Sequence, residues 1–177
     1  MKTLFLHEDF YKQIELIPEE NIFTIISTNE MTVDFDSCGY DNIIERDKSK
    51  VELAKRKIRI DQIENTLSEL VYLKYHNIYK GYGDSAKLMT NTIAYGFERF
   101  AIFFEYNNEH IIKNIWLNQD TEQKKDNKGK NLLLFLYNLG KIFDLILVDW
   151  NEENIIRLKN KQKIKEYLNT TYYFDID

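Results

Sequence analysis

Four carboxylates stand where strands are expected to end. Asp149, Glu152 and Glu153 follow the apolar run Leu145-Ile146-Leu147-Val148, and Glu105 follows Phe100-Ala101-Ile102-Phe103-Phe104. Hard divalent ions take oxygen ligands and activate a bound water, so converging carboxylates are what metal-assisted hydrolysis needs. Brought together, these four would make a metal-dependent enzyme. Kept apart, they are strand-end and turn decoration, which is the commoner use of such residues. The spacing favours decoration, so no catalytic residue, metal ligand or cofactor is assigned.

Other chemistry has less to stand on. The single cysteine, Cys38, lies among turn formers with no histidine near it in sequence, and no G-x-S-x-G elbow occurs. One cysteine permits neither an internal disulfide nor a cysteine zinc site. His7, His76 and His110 are far apart. His7-Glu8-Asp9 would alternate faces in a strand and could not jointly chelate one ion. Gly81-Tyr82-Gly83-Asp84-Ser85-Ala86 lacks the third glycine of a dinucleotide fingerprint and the Gly-Lys of a P-loop, and reads as a tight turn and cap.

The elements that must position these residues follow from periodicity. Leu4-Phe5-Leu6 is a first short strand. Tyr11 to Leu16 alternates, with Ile14 and Leu16 on one face and Gln13 and Glu15 on the other. Pro18 ends that strand and, with Glu19 and Glu20 behind it, could equally start a helix. Ile22 to Ile26 is compatible with either element, and its β-branched residues favour a strand. Residues 34–50 are rich in turn formers and read as irregular. Lys55 to Ile60 reads as a basic strand. Asp61-Gln62-Ile63-Glu64 resembles a capping box for a helix over about 61–73, with Ile60, Ile63, Leu67, Leu70 and Val71 at helical spacing. A second helix would be capped by Asp84 and end before Gly96.

The second half is more distinct. Phe100 to Tyr106 and Ile111 to Leu117 flank Asn107-Asn108-Glu109-His110 as a hairpin. Leu132, Phe135, Leu136, Leu139 and Phe143 form a helical stripe after the polar segment 118–130. Leu145 to Trp150 reads as a buried strand, Ile155 to Leu158 as its hairpin partner, and residues 161–169 as a last helix. Interspersed helices and hairpin-linked strands predict an α+β fold: one domain over residues 1–177, a mainly antiparallel sheet, and helices packed on one face.

Composition fits that fold. The chain has 177 residues, 44% hydrophobic and 30% charged, enough to bury a core and too apolar for disorder. No run approaches the length of a membrane helix, and the N-terminus turns acidic too early for a signal peptide, so a cytoplasmic location is expected. The net charge of −5 is unevenly spread: residues 1–45 hold ten acids and two bases. An acidic face repels phosphate backbones and attracts basic partners, which argues against direct nucleic-acid binding. Aromatic residues are 14%, and tyrosine and tryptophan are common interface anchors.

Three stretches carry a resemblance. They are His7-Glu8-Asp9-Phe10-Tyr11-Lys12-Gln13-Ile14-Glu15-Leu16, the Tyr95-Gly96-Phe97 before the aromatic hairpin, and Leu147-Val148-Asp149-Trp150-Asn151 through Tyr167-Leu168. In general pattern the chain resembles the small immunity proteins of bacterial contact-dependent inhibition and related polymorphic toxin systems. The resemblance implies a non-enzymatic protein that binds and neutralises one cognate toxin domain, commonly a nuclease, in the cytoplasm. No functional residue is carried over from it. A nuclease needs a positive active site, so an inhibitor benefits from acids with aromatic anchors. The candidate partner-binding residues are therefore Glu8, Asp9, Tyr11, Glu15, Glu19, Glu20, Asp34, Asp36, Tyr40 and Asp41. A homo-oligomeric scaffold without a toxin partner is the remaining alternative.

Overall fold

The computed structural model describes residues 2–7, 11–26, 30–32, 42–44, 51–67, 73–81, 83–97, 100–118, 128–174 and 176. In chain order the strands are β1 (Lys2–Leu6), β2 (Ile14–Pro18), β3 (Glu30–Thr32), β4 (Asn42–Ile44), β5 (Leu73–Lys80) and β6 (Lys87–Leu88). They continue with β7 (Thr92–Phe97), β8 (Phe100–Tyr106), β9 (Ile112–Leu117), β10 (Leu145–Asp149) and β11 (Asn154–Arg157). The helices are α1 (Ile22–Ile26), α2 (Ile60–Leu67), α3 (Lys128–Phe143) and α4 (Lys161–Thr171). Nine strands make one sheet in the order β1-β5-β7-β8-β9-β2-β10-β11, with β6 also on β5, while β3 and β4 form a separate ribbon. All pairings in the large sheet are antiparallel except β1 with β5, so the fold is α+β.

The central hairpin forms as its aromatic, β-prone runs and intervening turn formers predict. Phe103 faces Trp116 across β8 and β9 with stacked rings 5.1 Å apart, and Phe104 faces Ile115. Asn107 holds the turn: its side-chain oxygen accepts from the backbone N–H of Glu109 (3.0 Å) and Ile111 (2.9 Å). One face of the sheet, bearing Ile14, Leu16, Ile102, Phe104, Ile115 and Leu147, is covered by the apolar stripes of α2, α3 and α4. The α3 stripe is Leu132, Phe135, Leu136 and Leu139, all buried. Asn160 caps α4, accepting from Lys163 N–H at 3.1 Å. The five-residue α1 sits on the other face, where Ile22 and Ile25 pack on Ile146 and Val148.

Several expectations from periodicity are corrected. Residues 84–95 are not an α-helix: Gly83–Ser85 is a 3-10 turn, and β6 and β7 follow it, separated at Asn91, whose φ of 54° is incompatible with a helix interior. Thr90, Thr92 and Ile93 add β-branching that suits a strand. Gly96 is consequently a strand residue and not a helix cap: a Cβ there would lie 2.0 Å from the Phe100 carbonyl oxygen. The helix at 61 stops at Leu67 within the described residues, and Leu73 already opens β5; Leu70 and Val71 lie outside them. Ile22 to Ile26 is helical, because Pro18 and the acids behind it start a 3-10 turn over Glu19–Asn21 that runs into α1. The basic stretch 55–60 gives a 3-10 turn over Leu53–Arg56 and a single bridge from Arg59 to Ile111. Of the irregular stretch 34–50, residues 42–44 form β4 and the others lie outside the described residues.

Helix α3 can approach the exit of β11 closely because Gly140 faces Leu158. A Cβ at residue 140 would lie 2.3 Å from the Leu158 Cβ and 2.7 Å from its carbonyl carbon. Gly140→Ala should therefore destabilise the fold by about 1–3 kcal/mol, despite alanine's better helix propensity. Chemical denaturation of the variant checks this; a gain in stability would show that α3 can shift away freely.

Candidate functional site

The most distinctive site lies where β9 changes neighbours along one edge. Its end, Ile115 to Leu117, pairs with β2. Its beginning is paired instead with the segment after the Leu53–Arg56 turn: Ile112 N–H donates to Ile58 O (2.8 Å) and Ile60 N–H to His110 O (3.0 Å). Between the two partners the sheet forks. A bulge accompanies the change, because Glu105 and Tyr106 of β8 face Asn114 and Ile112, leaving Lys113 as the extra residue.

The fork opens into a recess of about 420 Å³ whose polar lining includes Glu15, Asn21, Glu52, Lys113 and Asn114. Asn21 is buried and fixes the far wall by copying a strand partner: its amide donates to Val51 O (3.0 Å), and its oxygen accepts from Val51 N–H (2.8 Å). On the near wall, Glu15 accepts from Trp150 Nε1 at 2.9 Å. Asn114 donates to Glu105, which is ion-paired with Lys12 at 3.2 Å. Burial acts to raise the Glu105 carboxyl. The Asn114 hydrogen bond and the Lys12 charge outweigh it and hold the group below its ordinary range. Two carboxylates and one ammonium around a recess suit a cationic or hydrogen-bond-donating side chain. No serine, threonine, cysteine or histidine lies among the lining residues.

The sequence-predicted residues fare unevenly. Glu15 lines this recess. Tyr11 lies nearby on the same sheet face, edge-on to Trp116 at 5.3 Å, with the Lys80 ammonium 3.7 Å from its ring centre. Glu19 and Glu20 are neutralised within the chain: Glu19 by Lys159 at 2.9 Å, with Arg157 at 3.9 Å, and Glu20 by Arg56. Glu8, Asp9, Asp34, Asp36, Tyr40 and Asp41 lie outside the described residues, as does Cys38. Glu52, Lys113 and Asn114 were missed. They come from separate segments, and no spacing in the sequence unites them with Glu15.

The four strand-end carboxylates do not gather. Glu105 faces Asn114, on the same side of the sheet as Glu15, whereas Asp149 faces Ile14, on the opposite side. Asp149 is wholly buried there, accepting from Tyr167 OH (2.8 Å) and from the backbone N–H of Asn151 (3.1 Å) and Glu152 (3.2 Å). Burial pushes the Tyr167 phenol up, with Tyr172 and Asp149 adding to it, so it remains a donor. Glu152 and Glu153 are exposed. Among the described residues no group of three or more His, Cys, Asp or Glu could hold a metal ion, and no helix is long and apolar enough to cross a membrane.

Comparison with protein-family models, with curated proteins and with solved structures gives no match.

Two measurements check this site. Tyr167→Phe leaves the buried Asp149 carboxylate short of a donor and should cost about 1–3 kcal/mol in a denaturant titration. Glu105 should titrate below 4.5 in carboxyl-detected NMR, and Lys12→Met should move it upward. Because its folded value is depressed, Glu105 contributes stability above its unfolded value. That contribution is lost as pH falls through the folded value.

Proposed function

We propose that this chain is a binding protein that neutralises a cognate bacterial toxin domain in the cytoplasm, as its resemblance to contact-dependent-inhibition immunity proteins implies. The observation that carries the reading is the recess at the β2–β9 fork, with Glu15 and Glu52 on its walls. Such a recess can receive a lysine or arginine of a basic partner, and partial enclosure strengthens that contact over a fully exposed one. Phe23 supports the same reading. It is 77% exposed on α1, two residues beyond Asn21, and a solvent-facing phenyl ring is a ready anchor for another protein. A catalytic role finds less support, since the strand-end carboxylates are divided between the two sheet faces.

The test is co-expression with the toxic C-terminal domain encoded by the neighbouring upstream gene. A one-to-one complex and rescued growth are expected. Reversing Glu15 and Glu52 to lysine should slow association, more at low salt than at high. Phe23→Ala should raise the dissociation rate roughly tenfold. A toxin that is neither bound nor neutralised overturns the proposal.

A further inference from the structure

A second recess lies on the helical side of the molecule, between α3 and α4. It measures about 390 Å³, within the range of roughly 300–1,000 Å³ usual for ligand pockets. Its apolar lining is Leu133, Leu134 and Ile176, and Leu134 is 45% exposed. Its charged lining is Lys130, Lys161 and Lys165, with no acid among the lining residues.

These lysines differ from their neighbours. Lys159 is paired with Glu19 and Asp144, and Lys163 with Glu166. Lys130, Lys161 and Lys165 have no carboxylate partner among the described residues. Lys161 only overlies the Tyr137 ring, 4.5 Å from its centre, which leaves its charge uncancelled. Among the described residues, then, three cations without a carboxylate partner surround an apolar floor in a chain whose net charge is −5.

The floor is built. Ile176 is buried at one end of the groove, and Asn169 holds its backbone from both sides. The Asn169 amide donates to Ile176 O (3.3 Å), and the Asn169 oxygen accepts from Ile176 N–H (3.2 Å).

We propose that this groove binds an acidic segment of a partner protein, seating one large apolar side chain on Leu133, Leu134 and Ile176 while flanking carboxylates meet the three lysines. Charge complementarity selects the occupant. A phosphate or nucleic-acid ligand would find no arginine fork and an apolar floor without donors. A bilayer is met by protruding apolar side chains, whereas this floor is recessed. An amphipathic acidic segment satisfies both the lysine rim and the floor, as in helix-in-groove recognition. This inference is independent of the toxin-binding reading, which concerns the opposite charge on another part of the molecule.

The probe is a fluorescein-labelled peptide carrying one leucine flanked by glutamates, titrated against the full chain by fluorescence anisotropy. The expected result is saturable binding that weakens roughly tenfold in the Lys130→Glu, Lys161→Glu, Lys165→Glu triple variant. Replacing the peptide's leucine with serine should weaken it by a similar factor, as should Leu134→Ser in the protein. All four sites are on or near the surface of the helices, and thermal melts followed by circular dichroism verify folding. Equal binding of the leucine and serine peptides would reduce the site to non-specific charge and overturn the proposal. So would absence of binding, insensitivity to the triple variant, or competition by phosphatidylserine vesicles in place of the peptide.

Discussion

The architecture depends on how the edge of β9 is satisfied. A buried strand cannot leave its N–H and C=O groups unpaired. Strand β2 serves Ile115 to Leu117, but it ends at Pro18, which has no N–H to give and turns the chain into the Glu19–Asn21 turn. The rest of the β9 edge is met by residues 58–60, brought in from elsewhere in the chain. Asn21 completes the arrangement by binding Val51 through its side chain as a strand would through its backbone. The fork, the bulge at Lys113 and the recess are consequences of this exchange of partners. The recess is thus part of how the sheet closes, and its polar walls have hydrogen-bonded supports.

Charge is handled differently on the two faces. On the helix-covered face, Asp149 is out of water and survives because a phenol and two backbone N–H groups point at it. That cluster joins the β10–β11 turn to α4, and Asp149 and Tyr167 are both buried in it. On the other face, Glu105 and Glu15 are only partly buried and are held by Lys12, Asn114 and Trp150. A carboxylate in the first setting is structural, and one in the second remains available to a ligand. The separation of faces by strand parity is therefore what distinguishes the two groups.

Much of the fold was legible from local pattern. The aromatic run Phe100 to Tyr106, the turn formers at 107–110 and the apolar return Ile111 to Leu117 specified β8 and β9. The stripe Leu132, Phe135, Leu136 and Leu139 specified α3. Where local signals conflicted, tertiary pairing decided. Residues 84–95 have a plausible helix cap and a terminal glycine, yet they complete β5 as strands, since Asn91 accepts a left-handed conformation and the β-branched residues favour extension. Residues 22–26 went the opposite way, because the turn at Pro18 outweighed β-branching in so short a segment.

The candidate site was less legible. Neighbours along the chain suffice for the element types of the second half, the α+β class and the concentration of acid in the first 45 residues. They do not determine which acids remain available. Glu19 and Glu20 are cancelled by Lys159 and Arg56, residues far away in sequence. Glu15 meets Glu52 and Asn114 at the recess only through the order of strands. The basic run Arg157 to Lys165 is visible in the sequence, but packing decides which of its lysines meet Lys130 at the groove between α3 and α4 and which pair with carboxylates. Pairing distance, strand order and face are three-dimensional quantities, set by packing between segments that are remote in sequence.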